Sequence, residues 1–581
     1  MGSAASCHRP PPSASKEPRK RLFSRKRSTA VFSPGGAETS RSNTLSSSHE
    51  LSKEVPNEKP SGHHFQDEKS GSRHSAPIHS SDYHPEDAEE REAFDKFIRE
   101  YPEYQQTSII DTLRRTDFTR LARGNETYVD YMGGAVYPES LVKTHSDFLS
   151  RNILGNTHSV SNSSKLSLQC ADEARDAVLK HFGASSDYTV VFTSNASGAL
   201  KLVGESFPFV AGSKLVIGVD SHNSVHGIRE FASYKDGQTV YIPTTSQGGF
   251  DIPTAKDILL QNRPNSDSNS QSAPSLFVLT AQSNITNSKT PLSMAEYAAS
   301  IGYHTVVDGA ALAATSLINI SEYPIDAMAV SFYKMFGYPT GVGALIVKKS
   351  FLAQLKRPWF SGGNVDIVQI PGSIFTRVKA SHEQFEDGTI NYTQLPTITY
   401  GLNFISAYLP FLPLRLSLLL SYLTTSLSEL RHVTTGQPVL RVLSRLPGQR
   451  LKSVGEQSDV GSVVSMIFFG PDGRILPNTF VEYAASTQNI SLRTGCMCNP
   501  GGAAALLGLT TEMQNMYPGI TSAEMEVQLG RQLGVVRVSL GLASSFEDVR
   551  KVIKFAASIG DEPDRMLLWK RWEEYQSSEA H

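Results

Sequence analysis

The stretch "DAMAVSFYKMFGYPTGVGALIV", Asp326 to Val347, decides the reading of this chain. An apolar run leads into Lys334, a glycine-rich turn follows, and a second apolar run begins. Lysine is among the residues least often buried without a partner. Its place at the end of a strand that reads as buried has three explanations: an exposed strand end, a buried ion pair, or an amine kept for covalent chemistry. In isolation an exposed strand end is the ordinary reading, and the rest of the chain has to decide.

Outward from this stretch, the runs "YTVVFTS", "KLVIGVD", "LFVLTAQ", "HTVVDG", "AMAVSFYK" and "ALIVKK" alternate with longer helical patterns. Mostly continuous apolar strands separated by helices predict an α/β fold with a mainly parallel sheet covered on both faces. After Gly401 a long helical stretch, "SVVSMIFFG", "VVRVSLG" and a helix starting near Phe546 predict a smaller α+β domain. The chain thus divides into a disordered Ser/Pro/basic tail over 1–83, a large domain with its N-terminal segment over 84–400, the small domain over 401–560, and a C-terminal tail over 561–581. The polar insert Gln261–Ser275 predicts a surface loop.

The 581 residues carry a formal net charge of −2, with 39% hydrophobic and 19% charged residues, which describes an ordinary globular protein and offers no basis for nucleic-acid binding. Four cysteines, Cys7, Cys170, Cys496 and Cys498, are too few for a disulfide framework, so a reducing, cytoplasmic compartment is expected. No apolar run reaches the roughly 18 residues of a membrane helix. "FLPLRLSLLLSYL", Phe411–Leu423, contains Pro413 and Arg415 and reads as a core helix. The N-terminus lacks the apolar core of a secretory signal. "MGSAAS" fits N-myristoylation at Gly2, Cys7 is available for palmitate, and "KEPRKRLFSRKR" is polybasic, a combination that would bring the tail to a membrane surface. A solubilising tail, a nuclear signal and an organelle presequence remain alternatives for the same residues.

Ligands of open parallel sheets sit outside the carboxyl ends of the strands. There "TVVFTS" runs into "NASGAL", whose small residues open a helix with Ala196 and Ser197 at a phosphate-binding position. "LVIGVD" leads to His222, "HTVVDG" ends at Asp308, and "AMAVSFYK" ends with Ser331 and Lys334. Separately, Ser197 reads as a helix cap, His222 as a loop histidine and Asp308 as a turn residue. Together they match one ligand, pyridoxal phosphate, which needs a phosphate cup, a lysine amine for its aldehyde and a carboxylate for its ring nitrogen. At about 4 Å and an effective dielectric near 20, that last charge pair is worth about 4 kcal/mol.

"SFYKMFGYPTGVGALIV", "VFTSNASGALKLV", "QFEDGTINY" and "LRTGCMCNPG" resemble the class V aminotransferase superfamily, of the pyridoxal-phosphate-dependent transferase fold type I. Within it the chain is most similar to the cysteine-desulfurase domain of eukaryotic molybdenum cofactor sulfurases, from about Glu90 to near Ala556. The resemblance implies that Lys334 bonds covalently to the cofactor, Asp308 holds its ring nitrogen, and His222 stacks on the ring and helps move protons. It places Ala196, Ser197 and Ser331 at the phosphate. Cys498 aligns with the persulfide cysteine, and Arg493 and Arg537 with arginines that hold the substrate carboxylate. It further implies a homodimer, L-cysteine or a related amino acid as substrate, alanine as product, and a sulfur acceptor that the sequence does not name.

The loop chemistry agrees, since a sulfur-accepting thiol must attack as thiolate from an accessible segment, and Arg493 supplies nearby positive charge. A metal site is not expected, because no second Cys/His pair has ligand spacing. Cys496 is open to a role as a relay thiol. Ala311 stands where many class V desulfurases have glutamine, as alanine often does in the sulfurase branch; Asn287 stands where that branch tends to have glycine, so the substrate side of the pocket is expected to differ there. The residues after Ala556 are too short for the further domain such sulfurases usually carry, which separates persulfide formation from delivery to molybdenum cofactor. Two alternatives stay open: another class V reaction, transamination or β-elimination, and a non-catalytic scaffold.

Overall fold

The alternating runs fold as their composition demands. In the computed structural model, which describes residues 88–264 and 273–579, seven strands form one sheet. They are β1 (Tyr188–Thr193), β2 (Lys214–Gly218), β3 (Gln238–Ile242), β4 (Leu276–Thr280), β5 (His304–Asp308), β6 (Ala327–Ser331) and β7 (Gly343–Lys348), in the spatial order β1-β7-β6-β5-β4-β2-β3. Only β7 runs against the others. Successive side chains on a strand point to opposite faces. Accordingly Val190, Val216, Phe277, Val307, Met328 and Ile346 enter one core, and their neighbours Val191, Ile217, Val278, Val306, Ala329 and Leu345 enter another. Both faces are covered, which is why these strands read as unbroken apolar runs.

The opening stretch departs from expectation at its centre. β6 stops at Ser331, and Phe332–Phe336 forms a single helical turn ended by Gly337 in the left-handed region, φ +80°. Lys334 therefore sits beyond the strand. Phe332 and Phe336, at the two ends of this turn, are both fully buried in the same core.

A second, antiparallel sheet orders Leu440–Val442, Val463–Phe468, Val535–Ser539 and Arg493–Gly495. The domain limits differ from the sequence reading in three places. The N-terminal segment joins the smaller domain's core: Phe97 packs on Tyr101, Tyr104, Tyr422 and Phe546, with ring centroids 5.0–5.2 Å apart. The helix Leu395–Tyr408 instead places Leu395, Ile398, Leu402 and Ile405 in a core of the large sheet, so Gly401 lies inside a large-domain helix. Lastly, much of 561–581 is the helix Glu562–Glu579, not a tail, because Trp569 and Trp572 bury their rings against Phe480.

The helical stretch Leu395–Glu429 is long and apolar enough to cross a membrane by length and composition, but 61% of its most apolar window is buried within the protein. Arg415, inside it, is fully buried and ion-paired to Asp111. The expectations for the 1–83 tail, Gly2 and Cys7, and for the centre of the Gln261–Ser275 insert, lie outside the described residues.

Because Phe97 joins the first described helix to the C-terminal core, Phe97→Ala should cost about 3–5 kcal/mol. Chemical denaturation should show the lower midpoint, with a matching loss in thermal melting.

Candidate active site

Parallel strands end on one edge, so the residues just beyond each strand are brought together. After β1, the helix Ala196–Ser206 opens there; Asn195 caps it by accepting the Gly198 N–H at 2.9 Å. The Ala196 N–H donates to Ser331 Oγ at 2.8 Å, tying this helix to the end of β6. Ser197 and Ser224 face each other with Oγ atoms 2.6 Å apart. Hydroxyls gathered at a helix N-terminus make a cup for an anion.

His222 lies just past β2 and accepts the Ser224 N–H on Nδ1 at 3.1 Å. A donor on Nδ1 leaves the proton of the neutral ring on Nε2. Burial lowers the ring's pKa, the Lys334 charge lowers it further, and Asp308 opposes both. Asp308, at the end of β5, is buried and accepts the Ala310 N–H on Oδ1 at 3.1 Å. Lys334 has no hydrogen bond or ion pair among the described residues. Burial pushes its amine pKa down, Asp308 counters, and the Arg537 and Arg493 charges depress it again.

Ala196, Ser197, His222, Asp308, Ser331 and Lys334 all line one cavity, together with Gln282, Asn284 and Ala311. Gln282 went unnoticed in the sequence. It is 2% exposed, and neither its amide oxygen nor its amide nitrogen has a partner. A buried carboxamide without partners is costly, and here it stands in a cavity beside an unpaired amine. A hydroxyl cup, a carboxylate, a free amine and an unsatisfied carboxamide are the donor set that a phosphorylated pyridine aldehyde requires.

The two arginines lie outside the cavity lining and meet on a residue the sequence reading did not single out. Asp130 Oδ2 accepts from Arg493 Nε at 2.8 Å, and Asp130 Oδ1 from an Arg537 terminal nitrogen at 2.5 Å. Arg537 is buried, with its Nε unpartnered, whereas the Arg493 side chain is 52% exposed. The signal was an aspartate between apolar residues ahead of two glycines, "YVDYMGG". A Cβ on Gly133 would stand 2.3 Å from Asp130 Oδ2 and 2.7 Å from an Arg493 nitrogen, so glycine is required there.

Cys498 also lies outside the lining, exposed on a turn. Its carbonyl accepts the Asn223 N–H at 2.7 Å, one residue from His222. Cys496 is exposed as well, and no metal-binding cluster occurs among the described residues. The expectation for Asn287 is corrected: its backbone is left-handed, φ +67°, the region glycine favours. Its amide donates to the Arg445 carbonyl and accepts the Val463 N–H, which directs it to the small sheet and not to the substrate pocket.

A model of the aminotransferase class-V family matches residues 127–552. The chain belongs to that family. Among curated proteins it is similar to the molybdenum cofactor sulfurase of Solanum lycopersicum, 33% identical over 80% of this chain and 59% of that one. It is also similar to that of Homo sapiens, 31% identical over 76% of this chain and 50% of that one. The chain thus spans about half to three fifths of the length of these relatives. Among solved structures, a cysteine desulfurase from Thermococcus onnurineus NA1 matches with a TM-score of 0.59 at 21% identity, over 77% of this chain and 97% of that one. One from Escherichia coli gives 0.58 at 20%, over 77% and 97%. These two establish the fold. The groups that line the Lys334 cavity fit pyridoxal phosphate: Ser197 and Ser224 would hold its phosphate, Asp308 its ring nitrogen and Lys334 its aldehyde.

Four outcomes are expected. Cofactor capture requires the neutral amine, so reconstitution with pyridoxal phosphate, followed by visible absorbance, should accelerate with pH around a midpoint below the ordinary lysine value of 10.5. Asp308→Asn should move that midpoint lower still, and Lys334→Ala should give no covalent band. Gly133→Ala should keep the band while weakening amino-acid binding about tenfold or more, the scale of a lost charged hydrogen bond.

Proposed function

We propose that this chain takes sulfur from L-cysteine, holds it as a persulfide on Cys498 and releases alanine, a cysteine desulfurase reaction of the kind named for its structural neighbours. The observation that carries the reading is the Asn223 tether, which sets the exposed Cys498 turn beside His222 and the Lys334 cavity. When bound, the cofactor supplies an electron sink that lets the substrate Cα–H bond break. Lys334 Nζ, its proton affinity lowered, takes up that proton. Asp308 stands ready to hold the ring nitrogen, and the cup at Ser197 and Ser224 the phosphate. Arg537, with an unpartnered Nε, offers a donor to the substrate carboxylate, and Arg493 adds positive charge. Cys498 Sγ attacks the substrate sulfur as thiolate: a sulfur–sulfur bond forms, the carbon–sulfur bond breaks with its electron pair left on Cβ, and a proton at Cβ together with return of the Cα proton from Lys334 completes alanine. Splitting the transfer through an enzyme-bound sulfur lowers each barrier.

The reading extends to a homodimer in a reducing cytoplasm, where Cys496 and Cys498 remain free thiols as the structure has them. A lipid-bearing N-terminus at Gly2 or Cys7 stays part of the proposal; mass spectrometry of the native terminus would show it. Molybdenum cofactor is one candidate sulfur acceptor, after the relatives' names.

Incubation with L-cysteine should yield alanine and a mass increase of one sulfur on the Cys498 peptide. Cys498→Ser should abolish both sulfur release and the persulfide. A variant that continues to turn over an amino acid at the parent rate, yielding a keto acid, would instead mark the enzyme as a transaminase.

A further inference from the structure

The turn that carries Cys498 is held in a conformation its residues disfavour. Asn499 N–H donates to the Cys496 carbonyl at 2.9 Å, closing a four-residue turn whose two central residues, Met497 and Cys498, both have φ +56°. Residues with a Cβ are disfavoured in the left-handed region by about tenfold each, and such outliers cluster at functional sites. Something outside the turn must hold it.

The holding groups converge on Asp220, a carboxylate that neither lines the cofactor cavity nor forms an ion pair among the described residues. It is 6% exposed, and neutral donors alone satisfy it. Oδ1 accepts from Ser283 Oγ at 2.6 Å and Asn499 Nδ2 at 2.7 Å. Oδ2 accepts from Thr286 Oγ1 at 2.6 Å, the Gly249 N–H at 2.8 Å and Ser288 Oγ at 3.4 Å. Asn499, fully buried, also donates to Asn284 Oδ1 at 3.1 Å, and Asn284 Nδ2 donates to the Met497 carbonyl at 2.7 Å. One carboxylate therefore joins four segments: the loop that carries His222 two residues later, the loop after β3, the loop after β4, and the cysteine turn.

We infer that Asp220 is a positioning residue which, through Asn499 and Asn284, keeps the Cys498 turn in its left-handed form and in register with His222. This rests on Cys498 being the sulfur acceptor. A buried carboxylate bound only by neutral donors is stable only while all of them stay in place, so the network acts as a unit.

Asn499→Asp sets two carboxylates face to face; the exchange Asp220→Asn/Asn499→Asp restores a donor opposite an acceptor. Each protein is reconstituted with pyridoxal phosphate and assayed with L-cysteine, with hydrogen exchange followed on the peptide spanning 493–503. Asn499→Asp should lower kcat about tenfold to a hundredfold, the bias of one to two unsupported left-handed residues. KM and visible absorbance should be unchanged, exchange should be faster in that peptide, and the double variant should recover most of the loss. Parent-like kcat and exchange in Asn499→Asp, or a double variant no better than the single, would overturn the inference. If Asn499→Asp does not bind the cofactor, Asn284→Ala, which removes the donor to Met497 while leaving Asp220 bonded to Asn499, is read by hydrogen exchange alone, because Asn284 lines the cavity: faster exchange over 493–503 supports the inference and parent-like exchange overturns it. Should Cys498→Ser still release sulfur, the functional reading fails, while the exchange data still decide whether the clamp exists.

Discussion

An amine enclosed without a partner is the constraint around which this protein is arranged. Lys334 loses proton affinity to burial and to two arginines, and only Asp308 and Asp130 oppose the loss. A lysine in that state would be a liability in a structural core. It is tolerable where the amine is to be used neutral, and the fold supplies the groups that use requires: a carboxylate from the neighbouring strand end, a hydroxyl cup made by Ser197 after β1 and Ser224 after β2, and a histidine whose Nδ1 is already committed to a backbone donor.

The second constraint is that buried charges must be closed off in pairs or networks. Asp130 does this for Arg493 and Arg537, and in doing so joins the N-terminal segment to the small sheet. Its carboxylate offsets part of the positive charge of both arginines. Asp220 does the same with neutral donors and joins large-domain loops to the cysteine turn. Charge placement and site geometry thus meet at these two carboxylates, Asp130 holding Arg493 and Arg537 and Asp220 bonding to Asn499 beside Cys498.

Much of the fold was legible because both of its periodic signals are local. Continuous β-branched runs announce strands covered on both faces, and the polar residues that interrupt them fall at strand ends, so Asp308, His222 and Lys334 could be read onto one edge. Where local signals compete, the reading erred. "AMAVSFYK" is apolar almost throughout, and nothing within it shows that the strand stops at Ser331. Trp569 and Trp572 looked like part of a tail because their partner, Phe480, lies far away in sequence. Phe97 likewise joins a core built mostly from the other end of the chain.

The amino-acid order by itself determined the sheet, its reactive edge and the chemical types gathered there, since strand periodicity and the residue just past each strand are properties of short segments. Only the tertiary structure decided that Asp130 binds both arginines, that Gln282 is left without a partner, that Asn287 serves the small sheet, and that Asp220 reaches the cysteine turn. Those facts depend on side chains separated by up to about four hundred positions coming within 3 Å, and on desolvation, which no segment possesses until the others have closed around it.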